Sequence, residues 1–201
     1  MARARRVAII RSPPMTGKTS LLDLIEASLR QRDNTSVVRF QCFSQQNSNL
    51  IQELEHCLGV RLSPVVEAIN DDTWILIDDA QLAFKDETFW KVVVKDLEGV
   101  SRIHVIIAAT YDLSSQGTAP YHFGEYAHFS DLLLTPQESE SLYDGLVQRI
   151  YFAEGWVGFK DTLLRLAGGH VGVLTGGLSM IVRLHVDQGK RITESEALNA
   201  L

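Results

Sequence analysis

Arg11 to Leu22 reads RSPPMTGKTSLL. The stretch closes in Gly17-Lys18-Thr19 at the head of an apolar-periodic run, which is how a phosphate-binding loop ends. The usual pattern, G-x-x-x-x-G-K-[ST], opens on a glycine. Here Ser12 stands in that place, followed by Pro13 and Pro14. Such a loop needs backbone N–H donors, a helix N-terminus aimed at the anion, a lysine, and a hydroxyl for Mg²⁺. Lys18 is expected to reach the β- and γ-phosphates and Thr19 to bind the metal, while Gly17 lets the backbone approach phosphate. The donors fall late in the loop, near Thr16 to Ser20. Pro14 and Met15 complete the expected nucleotide-contacting segment. The prolines lack N–H groups but come early, where they stiffen the loop. Serine in place of glycine would be strained only if that position required a positive φ.

The flanking pattern supplies the context such a loop requires. Val7 to Arg11 (VAIIR) reads as a strand. Thr19 to Leu29 places Leu21, Leu22, Ile25 and Leu29 at helical spacing. Val37 to Phe43 (VVRFQCF) reads as a second strand and Asn49 to Leu58 as a helix. Thr73 to Ile77 (TWILI) is a continuous apolar strand of the sort buried on both faces of a parallel sheet. A helix is expected around Glu87 to Leu97, then a strand at Ile103 to Thr110 (IHVIIAAT). A polar loop bearing aromatic and histidine residues follows from Tyr111 to about Ala127. Phe129 to Leu134 (FSDLLL) is expected as the fifth strand. The alternation predicts a mostly parallel sheet with helices on both faces.

The second chemical signal is WILIDDAQ, Trp74 to Gln81. Asp78 and Asp79 end an apolar strand at the carboxyl edge, where open α/β sheets bind ligands. Asp78 is expected to hold Mg²⁺, directly or through water. Asp79 is placed to polarise an attacking water as general base. The blander alternative is a solvated acidic turn. Because VVRFQCF intervenes, the acidic strand is not expected beside strand one, which leaves room for the strand ending at Thr110 between them. Thr110 would then stand near the γ-phosphate as a polar sensor, or be a strand-terminal threonine with no special role.

A boundary is expected at TPQE. Thr135 suits an N-cap, Pro136 the first helical position, and Glu138 a capping box. Beyond it the chain reads as helices at 136–151, about 159–167 and about 171–186, with a last start at Thr193. The expected division is a nucleotide-binding core over 1–134 and a helical subdomain over 135–201.

Composition narrows the function classes. The chain has 201 residues, 45% hydrophobic and 22% charged, which is ordinary for a globular protein. A net charge of -6 argues against general nucleic-acid binding. No apolar run reaches membrane-spanning length, and the basic-then-apolar start MARARRVAII lacks a signal-peptide cleavage site. Two cysteines, Cys42 and Cys57, make no disulfide framework and fit a reducing compartment. An intracellular location is therefore expected.

With these residues in view, the sequence resembles the additional-strand P-loop ATPases, the class of AAA+ and STAND proteins. The matching segments are SPPMTGKT as a degenerate Walker A, WILIDDAQ as Walker B and IIAAT as the sensor-1 strand. LLLTPQESESL resembles the link into a helical lid, and LAGGHVGVL, Leu166 to Leu174, its Gly-His turn. Together, IRSPPMTGKTSL, LIDDAQ and GGHVGVL look most like the NTPase domain of crinkler-type effectors. The resemblance covers nearly the whole chain. It implies an α/β, three-layer αβα P-loop NTPase with sheet order 5-1-4-3-2 and a C-terminal helical lid, using ATP and Mg²⁺. An effector of this type would act inside a host cell, in the cytoplasm or nucleus, and would carry flanking, nuclease-like domains. Part of the adenine pocket is expected from an upstream segment, and the end at Leu201 reads as a cut.

Two departures from the class pattern stand out. From Ile103 through Gln148 there is no Lys or Arg, so the place of an arginine finger is empty and a self-assembling hexamer is not expected. The turn Gly168-Gly169-His170 lacks the usual sensor-2 arginine. His170 would contact phosphate in its stead, Arg183 would swing in, or His170 simply packs the turn. The expected activity is Mg-dependent ATP hydrolysis. Its alternative is a nucleotide-binding switch that hydrolyses little, and phosphoryl transfer to another acceptor ranks last.

Overall fold

A computed structural model describes residues 6–42, 49–59, 61–62, 71–97, 100, 102–110, 126–127, 129–148, 150, 155–188 and 192–201. The chain divides into two compact units. One comprises Met1–Pro13 and Lys18–His128; the other comprises Pro14–Gly17 and Phe129–Leu201.

The first unit is a parallel sheet with helices. Its strands are β1 (Val7–Ser12), β2 (Thr35–Gln41), β3 (Asp72–Asp78), β4 (Ile103–Thr110) and the two-residue β5 (Tyr126–Ala127), in the order β2-β3-β4-β1-β5. All pairings are parallel. Register aligns their carboxyl ends: Ser12 lies opposite Thr110, and Gln41 opposite Asp78.

The strands' period of two assigns the faces. Ile103, Val105, Ile107 and Ala109 of β4 join Ile75 and Ile77 of β3 in one apolar cluster. Onto it pack Leu50 and Leu54 of α2 (Leu50–Leu58) with Phe89 and Trp90 of α3 (Glu87–Trp90). Trp90, although fully buried, donates its indole N–H to the Ala83 carbonyl at 2.7 Å, so no polar atom is stranded. Helix α1 (Lys18–Leu29) packs across β2, β3 and β4 and buries Leu22 and Leu29.

Two elements differ from the sequence expectation. The fifth strand is Tyr126–Ala127, inside the stretch read as loop, and not Phe129–Leu134. Phe129–Leu132 instead forms a 3-10 turn. The Leu133 N–H bonds back to Ser130, and the Leu134 N–H goes to the Gly169 carbonyl at 2.9 Å, so these backbone groups serve the helical unit rather than the sheet. The helix expected over Glu87 to Leu97 is α-helical only to Trp90; Lys91–Asp96 widens into a π-helix, with Leu97 N–H reaching Val92. The crowded β-branched run Val92-Val93-Val94 accompanies the change. Of the expected aromatic-histidine loop, residues 111–125 and His128 lie outside the described residues.

The second unit is helical: α4 (Pro136–Val147), α5 (Val157–Ala167), α6 (Val171–Gln188) and α7 (Glu194–Leu198). Phe159, Leu163, Leu174, Leu178 and Ile181 form its core with Tyr143 and Ile192. Capping boxes start α4, from Thr135 and Glu138, and α7, from Thr193 and Glu196. Each satisfies two otherwise orphaned helix-end donors. Glu194 also accepts the Phe159 N–H at 2.8 Å, tying α7 to the start of α5. Among the described residues no helix is long and apolar enough to cross a membrane.

Candidate functional site

Lys18 is the first residue of α1. Its ammonium folds back on the preceding turn and donates to the Pro13 carbonyl at 2.7 Å, the Ser12 carbonyl at 3.2 Å and Ser12 Oγ at 3.4 Å. The side chain is buried, and burial pulls its pKa below the ordinary lysine value; Asp78 and Asp79 pull it the other way. A desolvated ammonium held by neutral oxygens is poised to exchange them for an anion.

Ser12, which replaces the usual glycine, is the last residue of β1 and paired with Thr110. It carries no positive φ, so the substitution brings no strain. The left-handed positions are Gly17, at 84°, and Met15, at 60°. Glycine tolerates that region, whereas at Met15 it costs about 1–2 kcal/mol. Strain of this kind collects at ligand-binding turns. Thr16 is buried; Pro14, Met15, Thr19 and Ser20 are exposed.

The acidic end of β3 is tightly organised. Asp78 is only 3% exposed. Its Oδ2 accepts from the Arg39 guanidinium at 2.8 Å, and its Oδ1 from the Asp79 N–H at 3.0 Å. Asp79 has a positive φ of 52° and leads into a 3-10 turn, Ala80–Ala83. Two side-chain amides hold its carboxylate: Gln41 donates to Oδ2 at 3.1 Å and Gln81 to Oδ1 at 3.2 Å. Gln81 Oε1 accepts the Thr110 N–H at 2.9 Å.

Lys18, Asp78, Asp79 and Thr110 therefore gather at one carboxyl edge of the sheet, with Thr19 and Ser20 in the first turn of α1. Pro14–Gly17 group with the helical unit. His170 precedes α6 in that unit, where its Nδ1 accepts the N–H groups of Gly172 at 3.1 Å and Val173 at 3.3 Å. The imidazole thus caps the helix. Arg183 lies exposed on α6.

Sequence reasoning gave no role to Arg39, Gln41 or Gln81. For Arg39 and Gln41 only the polar-apolar alternation of VVRFQCF was visible. Arg39 and Gln41 fall on one face of β2, alternating with the buried Phe40 and Cys42, but β2 is the edge strand beside β3, and only that pairing brings the polar face to the acidic end of β3.

No protein-family model and no curated protein matches the sequence. Solved structures do match. Over 98% of this chain and 59% of that chain, the fold resembles PCH-2 of C. elegans with a TM-score of 0.59 at 13% identity. Domain III of the Thermotoga maritima replication initiation protein DnaA matches with a TM-score of 0.57 at 14% identity, over 98% of this chain and 83% of that one. A variant of Thermotoga maritima RuvB matches with a TM-score of 0.56 at 14% identity, over 97% and 60%. These neighbours are P-loop ATPases of the AAA+ class. The likeness is one of fold. The chain spans only about three fifths of the PCH-2 and RuvB chains.

Proposed function

We propose that the chain binds ATP with Mg²⁺ through its first loop and hydrolyses it. The observation that carries this reading is the convergence of Lys18, Asp78 and Asp79 at one edge of a parallel sheet, with Lys18 desolvated against the loop's own carbonyls. Lys18 would trade those carbonyls for the β- and γ-phosphates. Asp79, steadied by Gln41 and Gln81, would accept a proton from the attacking water.

The donor set suits Mg²⁺. Thr19 Oγ1 and Asp78 are hard oxygen ligands, and the described residues contain no cluster of three His, Cys, Asp or Glu side chains. An ion here would complete its shell with water and phosphate, the habit of Mg²⁺ rather than Zn²⁺. When bound, the ion would neutralise charge on the phosphates. The helical unit would act as the lid. The narrower likeness to crinkler-type domains, with effector action in a host cell, rests on the three motifs quoted above.

A second reading, a nucleotide-controlled switch with little turnover, is favoured by two observations. Both Asp78 and Asp79 are already engaged by side-chain donors, and no Lys or Arg occurs from Ile103 through Gln148.

Thermal unfolding with and without Mg-ATP tests the binding step common to both. Ligand at one hundred times Kd should stabilise the wild type by about 2.7 kcal/mol, and Lys18→Ala should abolish the shift. No shift in the wild type would reject both readings.

A further inference from the structure

Arg39 is ion-paired with Asp78, the carboxylate proposed to hold the metal. Its Nη2 lies 2.8 Å from Asp78 Oδ2 and 3.6 Å from Asp23 Oδ1. Its Nη1 is buried and has no acceptor among the described residues. The other Asp78 oxygen is taken by the Asp79 N–H. We propose that Arg39 is a resident counter-cation of Asp78 that must shift toward Asp23 before a divalent ion can load, so that metal binding and Arg39 release are one event. This deepens the nucleotide-site reading and rests on it.

The electrostatics require some such partner. A buried charge without a partner is costly, and the guanidinium bonded to Asp78 offsets that cost. A divalent ion would offset it too, but two cations at one carboxylate repel each other. Arg39 has somewhere to go. Asp23 lies on α1, five residues after Lys18, with its side chain 65% exposed and its Oδ1 already within ion-pair range. A guanidinium in its present place leaves one donor unmatched, which weakens its hold. Arg39 is therefore a positioning residue that acts through Asp78.

The test measures Mn²⁺ binding, read from the electron paramagnetic resonance of the free ion, with a non-hydrolysable ATP analogue present. Wild type, Arg39→Gln, Arg39→Lys and Asp23→Asn are compared. Arg39→Gln should tighten Mn²⁺ binding at least about fivefold, the low end of site-to-site coupling. Asp23→Asn should weaken it, because the displaced guanidinium loses its second perch. Arg39→Lys keeps the charge and should stay close to wild type. Asp23 is exposed, so its variant carries little folding risk and tests the idea even where Arg39→Gln is unstable. Equal or weaker Mn²⁺ binding in a folded Arg39→Gln, or unchanged binding in Asp23→Asn, would overturn the proposal alone. Absence of Mn²⁺ and analogue binding in the wild type would overturn the nucleotide site with it.

Discussion

Gln81 is hydrogen-bonded to Asp79, its Nε2 donating to Oδ1 at 3.2 Å. The other end of the same amide accepts the Thr110 N–H at 2.9 Å. A backbone N–H can only donate, so it fixes the amide's orientation and aims the Nε2 hydrogens at the carboxylate. One side chain thereby ties the acidic end of β3 to the end of β4.

Replacing Gln81 by Leu removes both bonds and leaves the Thr110 N–H without its acceptor. Stability should fall by about 1–3 kcal/mol in urea unfolding. Phosphate release should slow by about tenfold to a hundredfold, the usual effect of losing a group that orients a working carboxylate. Unchanged turnover would mean that Asp79 needs no steadying.

The two thiols should behave differently. Cys57 is exposed and Cys42 is buried. Burial foremost, then Asp79 and Asp78, pushes the Cys42 thiol up to about 12 from 9.0. Since thiolate is the reactive form, a disulfide reagent at pH 8 should titrate one thiol rapidly and the second only on unfolding. The folded-state pKa lies above the unfolded one. The contribution of Cys42 to stability is therefore whole below pH 9 and is lost as the pH rises from about 9 toward 12. Cys42→Ala should flatten that alkaline decline; an identical slope would contradict the assignment.

Two glycines of α6 should respond in opposite directions to alanine. A Cβ on Gly172 would collide with Met15 Cβ and the Met15 carbonyl, whereas Gly176 has nothing within 4 Å of that position. Gly172→Ala should destabilise by about 1–3 kcal/mol, and Gly176→Ala should stabilise by about 0.4–1 kcal/mol. Thermal unfolding of the two variants checks the pair. A stabilised Gly172→Ala would show that the loop around Met15 yields easily.

Much of the fold was legible because its signals are local and periodic. Ile103 to Thr110 reads as a strand from its apolar run alone, and Asn49 announces α2 by capping it through the Gln52 N–H. Phe129 to Leu134 misled for a physical reason. A short apolar run cannot say whether its backbone will pair with a sheet or with a turn, and the Leu134 N–H found Gly169. Lys18, Thr19, Asp78 and Asp79 were picked out as candidates by their pattern. Arg39, Gln41 and Gln81 were not, because their role depends on register: only the pairing of β2 with β3 sets Gln41 opposite Asp78.

The most direct measurement is phosphate release from Mg-ATP by the wild type and by Asp79→Asn. Asparagine keeps the shape and loses the base. Measurable turnover in the wild type and its collapse in the variant is the expected result. Equal turnover in both would contradict the role given to Asp79, and no turnover in either, with ATP still bound, would contradict hydrolysis and leave the switch.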